Sequence, residues 1–237
     1  MIYDNPAERL RNILAQGRQI KGDVPCRRAW SDIFVIDPSN TDEFYSKLGK
    51  VMSLSRETMT ILSANFPRQI QSAGHWRTQI DNAFNNQNLA GQWATFIDSI
   101  DSNTVNQLSL TADLIESRLS AKILNEQEFV SILASLGDLV NEIDASSLSP
   151  ALRNYLTREL TDLQYHIRDY KVSGAIPILK QAESMVGHVL VDPEYKDFLT
   201  NHDLGKRLLD NLNAAAALLT VALQLPQLGA MFSTLIK

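Results

Sequence analysis

The stretch from Thr41 to Leu62 limits the fold more than any other part of the chain. Phe44, Leu48, Val51, Ser55, Met59 and Leu62 follow one another at steps of four and three. That spacing lines one face of an α-helix, the seam by which a helix joins a bundle. A strand would scatter the same residues over both of its faces.

Helical spacing continues over nearly the whole chain, and the helix ends agree with it. Asn5-Pro6 with Glu8 opens a first helix reaching about Ile20, because the Asn side chain caps free amides and a first-turn proline loses no hydrogen bond. Pro25 starts a second helix carrying Trp30, Ile33 and Phe34, which ends before Asp37-Pro38. After Pro67, a helix is read from Ile70, Ala73, Ile80 and Phe84. Leu89, Trp93, Phe96 and Ile100 resume the pattern after the polar run at 85–88. Val105 to Leu119 forms a further stripe, and Asn125 with Glu128 has the spacing of a capping box ahead of Phe129, Leu133, Leu136, Val140 and Ile143.

Small polar residues and a proline coincide at 145–150, the expected boundary between a region 1–145 and a helical region 150–237. Beyond it, Leu152 to Ile167, Leu179 to Val189, a short helix after Asp192-Pro193, and Leu204 to Ala222 complete the set. No run alternates with period two between hairpin turns. The expected fold is therefore all-α: a multi-helix antiparallel bundle, either one continuous domain or two packed helical sub-bundles.

With 237 residues, 44% of them hydrophobic, the chain can bury a full core. Its net charge of −5 argues against binding nucleic acid, which needs a basic surface. The charge is uneven, at +3 over residues 1–77, −8 over 78–150 and 0 over 151–237. The basic head nominates Arg9, Arg11, Arg18, Lys21, Arg27 and Arg28 to meet an acidic protein partner or the acidic middle of a second copy. The single cysteine, Cys26, excludes an internal disulfide and suits a reducing cytoplasm, the expected location. Residues 1–11 lack the apolar core of a signal peptide, so secretion by that route is not expected.

No phosphate-binding glycine loop, zinc-protease helix or nucleophile elbow is present. Cys26 lacks a nearby histidine and reads as a small buried hydrophobe. The segment His202-Asp203-Leu204-Gly205-Lys206 resembles the metal-binding pentapeptide of HD-family phosphohydrolases, which are themselves all-helical. That resemblance implies a divalent metal held by His202, Asp203 and a first histidine, for which His166 stands 36 positions upstream, and hydrolysis of a phosphate by metal-activated water. The family also uses an aspartate on a later helix, and only Asp210, seven residues on, is available here. A plain alternative is that His202 and Asp203 serve a helix start. Asp162, His166 and Asp169 also fall on one helix face, the usual pattern of an exposed charged surface.

Residues 211–236 carry no charge, and 214–223 are nearly all apolar. The length suffices to cross a bilayer, but Asn211, Asn213, Gln224, Gln227 and Pro226 interrupt it, so a central helix of the bundle is expected. Together these observations point to a non-enzymatic helical interaction or regulatory protein, with no cofactor, working on a protein partner or as a homo-oligomer. The metal-dependent phosphohydrolase and a membrane-associated effector using 211–237 are the alternatives, which leaves enzymatic activity open.

Overall fold

The computed structural model describes residues 5–119 and 126–223. Among them are twelve α-helices, three 3₁₀ turns and no strand, so the chain is all-α. The described residues belong to two compact units, one within Asn5–Ser120 and one within Ala121–Lys237. The division falls near residue 120 instead of at 145–150.

The first unit holds α1 (Pro6–Gly17), α2 (Cys26–Phe34), α3 (Thr41–Asn65), a 3₁₀ turn (Pro67–Ala73), α4 (Gly74–Asn86), the single-turn α5 (Ala94–Ile97) and α6 (Ser102–Leu119). Its helix starts are set by side chains that satisfy first-turn amides. Asn5 Oδ1 accepts from Glu8 N at 3.2 Å, Asn40 Oδ1 from Glu43 N at 3.3 Å, and Asp101 Oδ1 from Thr104 N at 2.6 Å. Asn5 also donates through Nδ2 to Ala112 O at 3.0 Å, tying the start of α1 to α6. α1 packs on both α3 and α6.

Trp30 is the aromatic centre of this unit. Phe34, Trp93 and Phe96 lie 4.8–5.3 Å from it, centroid to centroid. Its Nε1 donates to Gln87 Oε1 at 3.2 Å, while Trp93 Nε1 donates to Gly17 O at 2.9 Å. A β-carbon on Gly17 would stand 2.9 Å from the Trp93 ring, so only glycine lets the indole seat there.

The helix expected over Leu89–Ile100 is reduced to α5. Asn88 turns the chain by accepting from Ala90 N at 3.0 Å. The amides of Trp93 and Ala94 then donate to Val24 O and Gly22 O, and Cys26 N donates to Gly91 O. These bonds to the 22–26 loop replace the helical ladder.

The second unit holds a 3₁₀ turn (Glu126–Phe129), α7 (Val130–Asp144), α8 (Pro150–Arg168), the single-turn α9 (Tyr170–Ser173), α10 (Ile176–Gly187), a 3₁₀ turn (His188–Leu190), α11 (Pro193–Asn201) and α12 (Asp203–Leu223). The expected cap at Asn125 lies outside the described residues. α7 and α8 are antiparallel: Thr157 Oγ1 donates to Asp144 Oδ1 at 2.7 Å near one end, and Gln164 Nε2 to Leu133 O at 3.4 Å near the other. Their connection is the proposed linker 145–150, where Ser149 caps α8 by accepting from Leu152 N at 3.2 Å. Small polar residues here mark a helical hairpin inside one unit.

Leu208, Leu212, Ala215, Ala216 and Leu219 of α12 are buried with α7, α8, α10 and α11 residues in one apolar core. The described part of the uncharged segment is thus a core helix, and residues 224–237, with Pro226, lie outside the description. No described helix is long and apolar enough to cross a membrane.

Candidate interaction surface

Among the described residues α3 is the longest helix, and it presents two seams. Its inward seam is Phe44, Leu48, Val51, Ser55, Thr58 and Leu62, all buried. Met59, assigned to that seam from sequence, gives way to Thr58, whose hydroxyl donates to Leu54 O at 2.8 Å and so tolerates burial. Met59 is half-buried at the edge of that seam.

The outward seam runs Asp42, Tyr45, Gly49, Met52, Arg56, Met59 and Ser63, at steps of three and four throughout. Tyr45 is 52% exposed and Met52 47% exposed. Nothing lies within 4 Å of a β-carbon built on Gly49, so the face is open at its middle. Asp42 and Arg56 are exposed, and neither forms an ion pair among the described residues. Sequence reading missed this seam because only three of its seven positions are apolar.

Val35, at the end of α2, lies next to this helix in the chain. It is 84% exposed and holds φ 55°, ψ 50°, a left-handed conformation that a β-branched residue rarely adopts. The Arg27 guanidinium secures the following loop, with Nε donating to Pro38 O at 2.9 Å, Nη2 to Thr41 Oγ1 at 3.0 Å, and the group lying 4.4 Å above the centre of the Phe44 ring.

Arg27 therefore holds the fold together, and three others of the six nominated cations also have partners. Arg9 is buried with its guanidinium 3.6 Å from Glu57, Arg11 bonds Glu8 one turn earlier, and Arg28 pairs with Asp32 at 2.8 Å. Arg18 and Lys21 are exposed without an ion pair among the described residues. Of the six, Arg9 and Arg27 thus tie α1 and α2 to α3, while Arg11 and Arg28 pair within their own helices.

The resemblance to the HD pentapeptide has a structural content of its own. His202 joins α11 to α12 in extended conformation, its Nδ1 accepting from Leu204 N at 3.2 Å as a helix cap. Asp203 is 92% exposed and bonds Lys206 at 3.1 Å. A β-carbon on Gly205 would stand 2.0 Å from Phe198 O, so glycine is required where α12 crosses the end of α11. His166 is half-buried in α8 against the Tyr165 ring. The three proposed ligands are not brought together: no group of three His, Cys, Asp or Glu among the described residues could hold a metal ion. In the trio on α8, Asp162 is exposed but Asp169 is buried, with Ser173 Oγ donating to it.

Cys26 is fully buried, and burial pushes its thiol up to about 11 against a smaller opposing hydrogen bond with Thr95. The thiolate that would act as a nucleophile is therefore suppressed at neutral pH.

Two histidine clusters were not picked out from sequence. His75 Nε2 lies 3.2 Å from Asp101 and 3.5 Å from Thr104 Oγ1. Both contacts fall on one ring nitrogen, so the imidazole cannot relay a proton between them. Asp101 is lowered to about 2, chiefly by the Thr104 amide it caps. In the second unit, His188 stacks on Tyr155 at 4.0 Å and its Nε2 lies 3.3 Å from Asp192. Tyr195 packs edge-on to Tyr155, and its buried hydroxyl has no partner among the described residues. Glu159 nearby accepts from Gln181 Nε2 and Arg158 Nη2, each at 2.8 Å. Burial raises both phenols, reinforced at Tyr155 by Glu159 and at Tyr195 by Tyr155, so both remain protonated. Among the described residues no serine, threonine or cysteine side chain bonds His188, and the nucleophile–base pair of covalent catalysis is not assembled there. The signals were present as pairs four apart, Tyr155 with Glu159 and His188 with Asp192.

No family model, no curated protein and no solved structure matches this chain.

Proposed function

We propose that the chain is a non-enzymatic helical protein acting through protein–protein contacts, with the outward seam of α3 as its contact face. The observation that carries this reading is a full three-and-four seam left open on a helix whose other seam already serves the core. Met52 stays about half exposed on this seam, as does Tyr45 although its ring also meets Phe44 and Arg27. Exposed aromatic and methionine side chains are the residue types that interfaces favour. The cytoplasm as its compartment rests on the single cysteine.

A photo-crosslinking amino acid placed at position 52 in the expressed full chain tests the reading, with position 106, exposed on α6, as control. A discrete protein adduct at 52 and none at 106 is expected. Equal yields at the two positions, or none at either, would remove the contact face.

A further inference from the structure

Resting on that contact-face reading, we infer that the α3 seam docks antiparallel on the same seam of a second copy, with the two-fold axis passing beside Gly49. Asp42 and Arg56 are the two charged residues of the seam, and each stands seven positions from Gly49. At 1.5 Å per residue both lie about 10.5 Å from it, in opposite directions along the helix. Antiparallel pairing about Gly49 therefore sets Asp42 against Arg56 of the second copy, and Arg56 against Asp42 of the second copy. A parallel arrangement in register would instead oppose like charges. The seam is charge-complementary to itself in this one register, which is what an isologous interface requires.

Two of the three apolar positions obey the same operation, whereas Met59 falls opposite position 39, ahead of the helix. Position 45 falls opposite 53, so Tyr45 lies beside Met52 of the second copy, and Met52 beside Tyr45. Thioether sulfur against an aromatic ring is a favourable contact. Gly49 meets Gly49 at the crossing point, and Ser46 and Ser53 flank it, so the two backbones can approach closely there.

One helix face per copy lies at the small end of stable interface sizes, so the dimer is expected in sedimentation velocity at about 10–200 µM full-length chain. Asp42→Arg and Arg56→Asp should each weaken dimerisation by roughly tenfold or more, since each places two like-charge pairs in the seam. The double variant should recover the parent's association. Gly49→Cys should form an intermolecular disulfide on mild oxidation, while Thr60→Cys, exposed on the same helix, should not; native Cys26 is buried and does not compete. All these positions are exposed, and thermal melts will verify that the variants fold. A parent chain that stays monomeric at 200 µM, or a double variant as weak as the singles, would overturn the second-copy inference. An adduct from position 52 to a different protein, with the chain monomeric, would leave the contact face standing. Absence of both adduct and dimer would remove both readings.

Discussion

Gly205→Ala is the substitution whose outcome runs furthest against simple expectation. Alanine is the best helix former, and replacing a helical glycine normally gains up to about 1 kcal/mol. Position 205 lies in the first turn of α12, but its β-carbon would stand 2.0 Å from Phe198 O, 2.7 Å from Phe198 C and 2.8 Å from Leu199 Cα. All three are backbone atoms, so no side-chain rotation relieves the clash, and α11 must move away from α12. Forced overpacking typically costs 1–3 kcal/mol, and a collision this deep belongs at about 3 kcal/mol or beyond. For a cooperative unit of roughly 100 residues, each kcal/mol lowers Tm by about 4–8 °C, so a fall of about 10 °C or more is expected. Asp203→Ala, which removes only an exposed first-turn carboxylate bonded to Lys206, should change Tm by far less. Differential scanning calorimetry of the two variants, each with and without manganese, measures both effects. A neutral or stabilising Gly205→Ala, or a manganese-dependent stabilisation lost in Asp203→Ala, would refute the account of this segment as a helix joint.

Val35→Gly should raise stability by about 1 kcal/mol, because an L-residue in the left-handed region costs roughly 1–2 kcal/mol and glycine returns only part of that as chain entropy. Denaturant melts will show this as a higher midpoint at unchanged slope, since the exposed Val35 side chain loses no packing. Cys26 should react with a thiol reagent at pH 8 only after denaturant is added, as its raised pKa and complete burial require; rapid stoichiometric labelling of the native chain would contradict both. Asp192 is held below the usual carboxylate range, first by the Tyr195 amide, then also by the Glu194 amide and His188. Its depressed folded pKa means a contribution that is present above the unfolded value and lost as pH falls through the folded one, so Asp192→Asn should flatten the pH dependence of the Tm below about pH 4.

Helix positions were legible wherever a cap and a stripe coincided, as at Asn5-Pro6 and Asp192-Pro193, because capping is a local exchange between residues two or three apart. What sequence hid were long-range substitutions for local bonds. α5 shrank because amides at 93 and 94 found carbonyls at 22 and 24, some 70 residues away, and no window around Trp93 contains that information. The 145–150 stretch looked like a boundary because a hairpin loop and a linker share the same residue types. The cations of the basic head were read as surface, but Arg9 and Arg27 had their partners on α3, which only the packing of α1 and α2 against it reveals. The outward seam of α3 was readable in its spacing; its mixture of Asp, Gly and Arg with Tyr and Met concealed it.

The hydrogen bond from Asn5 to Ala112, 107 positions apart, bears on how the first unit comes into being on the ribosome. α1 is made first, yet α6, one of its two chief neighbours, is made last in that unit. At roughly 5–20 residues per second, α1 must wait about 5–20 s for that surface to emerge. During that interval its apolar stripe of Leu10, Ile13 and Leu14 has only α2 and α3 to cover it. The second unit faces no such delay between α7 and α8, which meet across a five-residue connection. Native contacts of the amino-terminal helix should therefore be among the last to form in a nascent chain, and a translational pause before residue 112 would prolong the state in which that helix is half covered.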